Sequence, residues 1–556
     1  MDNRIIDFCI LLGSLLLFFI FSILLVSAIL FIFGFTISPV SLFAGISASV
    51  LLAWWGIRLY YKTHRARTLC ALILLVAVII LGSVCLSGRF YDVWCDSQVF
   101  HQEAVIRLAN GWNPFYTQLP SSLNIADKWL NPYSKGPWIC AAVLYKVTGR
   151  IEQSKAFNLL FMLASFFLSF AALLSLRRIK PPLALLTAFL FSFNPVSICQ
   201  VMSFYVDGQM ASLIISLIAL LFLSYTRNDR MTPVIIIAAV CLMINVKLSG
   251  LVYFLVITAG FMPFLFLNKD PGMRFKMCKV FFASFIIGAL LVGFNPYVTS
   301  SAKYGHPFYS VLDPIDGQMP KNFSSMNRFE KLAFSIFSRS ENIKTPMNTS
   351  LKWPFTFSAY ELVPFAGPDT RIGGFGPLFG GALILASLIM LASFKLDPKK
   401  TCLAAGASVF FLLFALVNPE AWWARYAPQL WLIPFISLIL AVFIRGKLVY
   451  YLYNVLLAVL LVNVLLVTYS YMDAQVEFSG AVKEQLRFIS ANSGSAEVLV
   501  KFNDFKSTRV RLSEAGIKYR EIERTPPVRS LNLFSVGGVA TQVYFKKPIG
   551  DGGNER

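Results

Sequence analysis

Long apolar runs separated by short basic links make up most of this chain. Stretches such as Leu11–Phe33, Leu69–Leu86 and Leu448–Ser470 each hold roughly twenty apolar residues, enough for a helix to cross the hydrocarbon core. The pattern predicts about thirteen transmembrane helices, at 8–34, 41–61, 68–87, 155–176, 182–199, 208–225, 232–247, 250–267, 279–296, 374–394, 401–417, 427–444 and 448–470. The first run is too long for a cleaved signal peptide and lacks a small-residue cleavage site, so it is expected to remain as an anchor.

The basic links set the orientation. Lys62–Arg67, Arg177–Lys180, Arg227–Arg230, Lys269–Lys279, Lys395–Lys400 and Arg445–Lys447 all fall on one side if the N-terminus is cytoplasmic, as the positive-inside rule requires. The segments then left outside are 88–154, the turn 200–207, the long loop 297–373 and the tail 471–556. Trp138–Thr148 is apolar but too short to span, and counting it would reverse the parity of Arg177–Lys180. It is read as an interfacial helix.

The tail changes character. Val482–Ser490 reads as an amphipathic helix, and Glu497–Phe502 and Ile517–Glu523 read as strands flanking a short helix at Ser507–Ala515. Gln542–Lys546 is a further candidate strand. The expected architecture is therefore an all-α polytopic membrane protein with a small C-terminal α/β domain. It divides into two N-terminal helices (1–67), a transmembrane domain (68–470) and a tail domain (471–556). The tail has no Gly-rich phosphate loop and is expected to be a structural or acceptor-docking cap. No internal repeat is evident, which disfavours a secondary transporter.

Composition agrees with a membrane solvent: 57% of the 556 residues are hydrophobic and 14% are charged, where soluble domains carry about a quarter charged. The formal charge of +21 lies mostly in the links, not on a basic face interleaved with aromatics, so nucleic acid is not an expected partner. Nine cysteines form no metal-ligand spacing, and most sit in apolar runs as small hydrophobes. Cys95 and Cys140 are the pair expected in an oxidising compartment, and two free thiols are favoured over a disulfide. The three histidines give no ligand set. No cofactor is expected.

The outside loop after the third helix carries Tyr91-Asp92-Val93-Trp94-Cys95-Asp96, then Gly111-Trp112-Asn113-Pro114-Phe115-Tyr116. A carboxylate just past a membrane exit is placed to take a proton from an acceptor hydroxyl, or is simply a solvated loop aspartate. Asp96 through Tyr116, followed by Tyr133-Ser134-Lys135-Gly136-Pro137-Trp138, resembles the first periplasmic loop of GT-C-fold glycosyltransferases, the superfamily of bacterial aminoarabinose transferase and the protein O-mannosyltransferases. Lys135-Gly136-Pro137 departs from the family's basic-Pro-Pro element. Asn194-Pro195-Val196 with Tyr205-Val206-Asp207-Gly208-Gln209 resembles the second outside turn, with the acidic residue displaced. Tyr304-Gly305-His306-Pro307-Phe308-Tyr309 and Trp423-Ala424-Arg425-Tyr426 resemble two later elements. The likeness covers roughly residues 68–470.

That resemblance implies transfer of a sugar from a polyprenyl-phosphate carrier to an envelope glycan, lipid or protein acceptor on the periplasmic face of a bacterial inner membrane. Asp96 is the implied catalytic base, with Asp92 as the alternative. A lipid-phosphate leaving group calls for cations. Lys135, Arg371 and Arg425, with Lys303 and His306, are candidates that can bind phosphate or snorkel to headgroups. Asp207, Gln209 and Tyr309 join the expected substrate-binding set, and Lys247 is left open. Some members of the superfamily use a divalent ion held by paired acidic residues, for which Asp92 with Asp207 would be the pair here, though nothing in the sequence calls for one. A flippase for lipid-linked saccharide and an O-antigen polymerase or ligase are the competing readings. A transporter should place its ionisable residues near the bilayer midplane, whereas here they gather at the outer rim.

Overall fold

The first helix, α1 (Asn3–Ile32), is apolar on all faces and buried along most of its length. A helix without a polar face belongs in the interior of a bundle or in lipid. The computed structural model describes residues 3–120, 129–267, 270–308, 323–342, 350–527 and 529–546. Along the chain follow α2 (Val40–Tyr60), α3 (Arg65–Ser87), α4 (Glu103–Ala109), α5 (Gly136–Thr148), α6 (Phe157–Ser175), α7 (Pro181–Ser192), α8 (Pro195–Gln200), α9 (Asp207–Arg227) and α10 (Thr232–Val246). Then come α11 (Ser249–Leu267), α12 (Pro271–Phe285), α13 (Thr299–Tyr304), α14 (Arg328–Phe337), α15 (Phe379–Phe394), α16 (Pro398–Val417), α17 (Leu432–Phe443), α18 (Lys447–Asn492) and α19 (Thr508–Glu514).

Among the described residues, nine helices are long and apolar enough to cross a membrane, and four shorter apolar helices cover 181–192, 232–246, 379–394 and 428–443. Large apolar side chains such as Leu74, Phe266, Phe282, Leu391 and Tyr450 point outward from these helices. Such a surface suits hydrocarbon rather than water. The basic links gather at the end that holds the N-terminus. Arg227 pairs with Asp7, the Tyr61 hydroxyl donates to the Arg4 carbonyl at 3.0 Å, and Lys276 donates to the Asp229 carbonyl at 2.9 Å.

Three boundaries differ from the apolar pattern for identifiable reasons. The expected helix 182–199 breaks at Asn194-Pro195, because the Asn194 side chain caps the new helix by accepting from the Ser197 amide at 3.0 Å while proline starts it. The expected helix 279–296 begins earlier, at Pro271. It then widens into π-type turns over Ile286–Val292 and Phe294–Val298. The separate segments 448–470 and 482–490 are one helix, α18, of 46 residues. Its buried positions Tyr471, Gln475, Phe478, Val482, Leu486 and Ile489 continue a single helical stripe with no proline to stop it.

α5 is buried on every side from Gly136 to Leu144 and packs against α4 and α1. The tail folds as a four-stranded sheet, β1 (Glu497–Lys501), β2 (Arg520–Glu521), β3 (Leu531–Asn532) and β4 (Gln542–Lys546), in the order β2-β1-β4-β3. β1 runs parallel to β2, and β4 runs antiparallel to both β1 and β3. The two-residue β3 has no counterpart in the expected strands.

The tail docks on the loop after α3 through buried charge. Arg511 donates to Glu152 Oε1 at 2.9 Å from Nε, to Gln98 Oε1 at 3.1 Å and to the Asp92 carbonyl at 2.5 Å. Lys155 completes the pair from the other side of Glu152. Removing Arg511 leaves Glu152 to Lys155 alone and takes the donor from the buried Asp92 carbonyl. Arg511→Leu is therefore expected to weaken docking by about 1.5–3 kcal/mol, the worth of a hydrogen bond to a charged group. Limited proteolysis of native membranes reads this directly, as faster release of the tail. An unchanged cleavage rate would take the pair out of the docking energy.

Candidate active site

The loops at the end of the bundle opposite the basic links bring distant parts of the sequence together. The turn before α17 lies on the loop before α15, with the Arg425 amide donating to the Thr370 carbonyl at 3.3 Å and the Ala424 amide to the Arg371 carbonyl at 3.2 Å. This packing places the Arg425 guanidinium among three carboxylates. Nη1 reaches Asp207 Oδ2 at 3.2 Å, Nε lies 3.1 Å from Asp369 Oδ1, and Nη2 lies 3.8 Å from Asp96 Oδ2. The Asp207 contact is a hydrogen bond. The Asp369 contact is a charge contact without the alignment of one. The rings of Trp423, Tyr426 and Tyr205 stand 4.7, 4.8 and 5.2 Å from the guanidinium carbon, a cation–π enclosure.

The three carboxylates are not equivalent. Asp207, the first residue of α9, also accepts from Lys247 Nζ at 2.9 Å and from Gln200 Nε2 at 3.3 Å. Asp369 accepts from Arg371 Nε at 2.8 Å and from Trp423 Nε1 at 2.8 Å. Their side chains are 6% and 8% exposed, and their lone pairs are committed to the frame. Asp96 has a side chain 44% exposed and only the long contact to Arg425. Desolvation by the surrounding walls raises its pKa above the ordinary carboxylate value, against the pull of Arg425, and Asp369 adds to the rise.

Asp92 is buried and otherwise engaged. It accepts from the Phe204 amide at 2.7 Å and the Trp94 amide at 3.2 Å, tying the loop after α3 to the turn before α9. Gln209 donates to Asn158 Oδ1 at 2.5 Å, and Asn158 holds the Gln200, Ser203 and Tyr205 carbonyls. Arg371 lies 4.1 Å from the Trp423 ring and braces Asp369. Lys135 is buried behind the site. It donates to the Asn131 and Tyr133 carbonyls at 2.8 and 2.6 Å, and burial pushes its pKa well below the usual lysine value. It thus shapes the loop that presents Tyr133, which stacks on Trp138 at 5.0 Å.

Trp138 Nε1 donates to His101 Nδ1 at 2.8 Å, and burial lowers the His101 pKa to about 3. His306 is half-buried on the loop after α13 and takes no part in the contacts above, and Lys303 pairs with Gln118. Tyr309 lies outside the described residues. Cys95 and Cys140 are free thiols, the latter against the Ile20 carbonyl of α1. Asp92 and Asp207, the pair that the resemblance offers for a divalent ion, are directed to different partners. Among the described residues no group of three His, Cys, Asp or Glu converges.

The sequence motifs do not include Asp369, carry Tyr205 only as the first residue of Tyr205-Val206-Asp207-Gly208-Gln209, and leave Lys247 undecided. The nearest signal for Asp369 is an acid two residues before Arg371, in a loop otherwise poor in regular pattern. Lys247, which follows α10 directly, keeps 25% of its side chain exposed and lies 4.3 Å from the Tyr426 ring.

No family model matches the chain, and no curated protein matches it. Among solved structures, the chain is similar to ArnT from Cupriavidus metallidurans in the apo state, at 11% identity and a TM-score of 0.42 over 81% of this chain and 85% of that one. It is also similar to ArnT from the same organism bound to undecaprenyl phosphate, at 10% identity and a TM-score of 0.40 over 87% of this chain and 99% of that one.

Proposed function

We propose that this protein is a membrane glycosyltransferase that moves a sugar from a polyprenyl-phosphate carrier to a hydroxyl of an envelope glycan, lipid or protein. The observation that carries the reading is the division of labour around Arg425. Two of its carboxylates are saturated by structural partners, and the third, Asp96, is half-exposed with accepting capacity left. A carboxylate so placed takes the acceptor proton as the acceptor oxygen attacks the anomeric carbon, and the bond from that carbon to the carrier phosphate breaks. Lys247 is the cation with the most exposed side chain in the cluster and is assigned to the departing phosphate. Asp92, whose oxygens are taken by backbone amides, is set aside as the base.

In this reading the nine long and four shorter apolar helices give about thirteen crossings. The N-terminus lies with the basic links in the cytoplasm, and the site and tail face the periplasm of a bacterial inner membrane. The motif likeness in the loops and the gathering of ionisable side chains at one end of the bundle support it. The test is a mass-spectrometric profile of envelope glycans from a deletion strain and the same strain carrying the gene. A sugar mass missing from the first and restored in the second is expected, and identical profiles would refute a transferase role.

A further inference from the structure

We infer that the C-terminal domain is a positioning part of the active site, holding the backbone at Cys95 so that Asp96 stands where it does. This rests on Asp96 being the base. One residue before Asp96, the Cys95 amide donates to the Val536 carbonyl at 3.0 Å, and the Val536 amide donates back to the Val93 carbonyl at 2.8 Å. Trp94 and Val536 thus form a parallel bridge between the loop after α3 and the tail. Immediately after it, Gly537 and Gly538 both adopt left-handed backbone angles, φ +77° and +67°, which glycine alone takes without cost.

These two glycines let the tail turn away while touching Cys95. A Cβ at 537 would lie 3.1 Å from Cys95 Cβ, and one at 538 would lie 2.9 Å from Phe505 Cζ and 3.4 Å from Cys95 Sγ. Asp504 and the buried Phe505 anchor the segment to the tail's own core, Asp504 Oδ2 accepting from the Val539 amide at 2.6 Å. On the other side of the loop, the Trp94 ring is packed flush on Gly367, two residues from Asp369. The stretch Val93–Asp96 is therefore clamped between the tail and the loop that carries Asp369. Arg511 adds a second hold through the Asp92 carbonyl. A general base acts only within hydrogen-bond reach of its proton, and a displacement of about 1 Å at such a centre costs about 100-fold in rate.

The inference separates rate from affinity. Gly538→Val and the milder Gly537→Ala, in the full-length protein, are compared with wild type for sugar transfer in the deletion strain. Their affinity for undecaprenyl phosphate is read by intrinsic tryptophan fluorescence of the purified protein. A loss of transfer of tenfold or more in Gly538→Val, a smaller loss in Gly537→Ala, and affinity within twofold of wild type are expected at equal membrane abundance. Should Gly538→Val fail to accumulate, Gly537→Ala decides alone. Wild-type transfer in the variant that accumulates, or affinity falling in parallel with transfer, would overturn the positioning role. Asp96→Asn is run beside them: if it transfers at the wild-type rate, it is the base assignment that has failed.

Discussion

Asp96→Asn is expected to lower sugar transfer about 100- to 10,000-fold, the range lost when a general base is removed. Asparagine fills the same volume, but it cannot take a proton. The Asp96 side chain is half-exposed and holds no part of the frame, so the variant should accumulate in membranes like wild type. The pH dependence carries the same signature. The base works ionised, and the raised pKa of Asp96 means that acidification protonates it above the ordinary carboxylate range. Wild-type transfer should therefore fall with decreasing pH before an exposed aspartate would titrate, and the residual rate of Asp96→Asn should lack that limb. Transfer by Asp96→Asn at the wild-type rate, with the same acid limb, would remove Asp96 from the chemistry.

Arg425→Lys has the second largest expected effect, a loss of transfer of about 100- to 1,000-fold, comparable to removing a preorganised donor from a charge-stabilising site. The guanidinium meets Asp207, Asp369 and Asp96 through three different nitrogens, a geometry one ammonium cannot copy. Lysine would leave at least one of these carboxylates without its partner. Because Asp207 and Asp369 are buried, the variant should also unfold at lower temperature in nanodiscs. Arg425→Lys with full activity and unchanged melting would show that the three carboxylates do not depend on this cation.

The apolar spans were legible because a membrane imposes a composition on every segment that crosses it. The tail's β1 and β4 were legible as short β-branched and aromatic runs with polar ends, yet β3 and the Val536 bridge were not, being too short to leave a pattern. Asp92 and Asp96 looked alike in one dimension. What separates them is the Phe204 amide, 112 residues further along the chain, and nothing local announces that partner. Lys135 shows the reverse error. Its charge suggested phosphate, but the fold turns the ammonium onto carbonyls beside Trp112 and Trp138. Asp369 sits in a loop with no periodicity and acquires meaning only when the turn at Arg425 lies across it.

The continuous helix α18, 46 residues from the basic end of the bundle into the tail, is about 69 Å of rod at 1.5 Å per residue. About 30 Å of it is enough to cross the hydrocarbon core, so the remainder sets the height and the azimuth of the tail. One inserted residue between Tyr471 and Ile489 would rotate everything beyond it by about 100° and lift it by about 1.5 Å. The Arg511 pair and the Val536 seam would be lost together. Insertions of about seven residues nearly restore the azimuth but raise the domain by about 10 Å, off its footing. The residue count of this stretch is thus fixed by the docking of the tail, whereas the side chains on its exposed face are not.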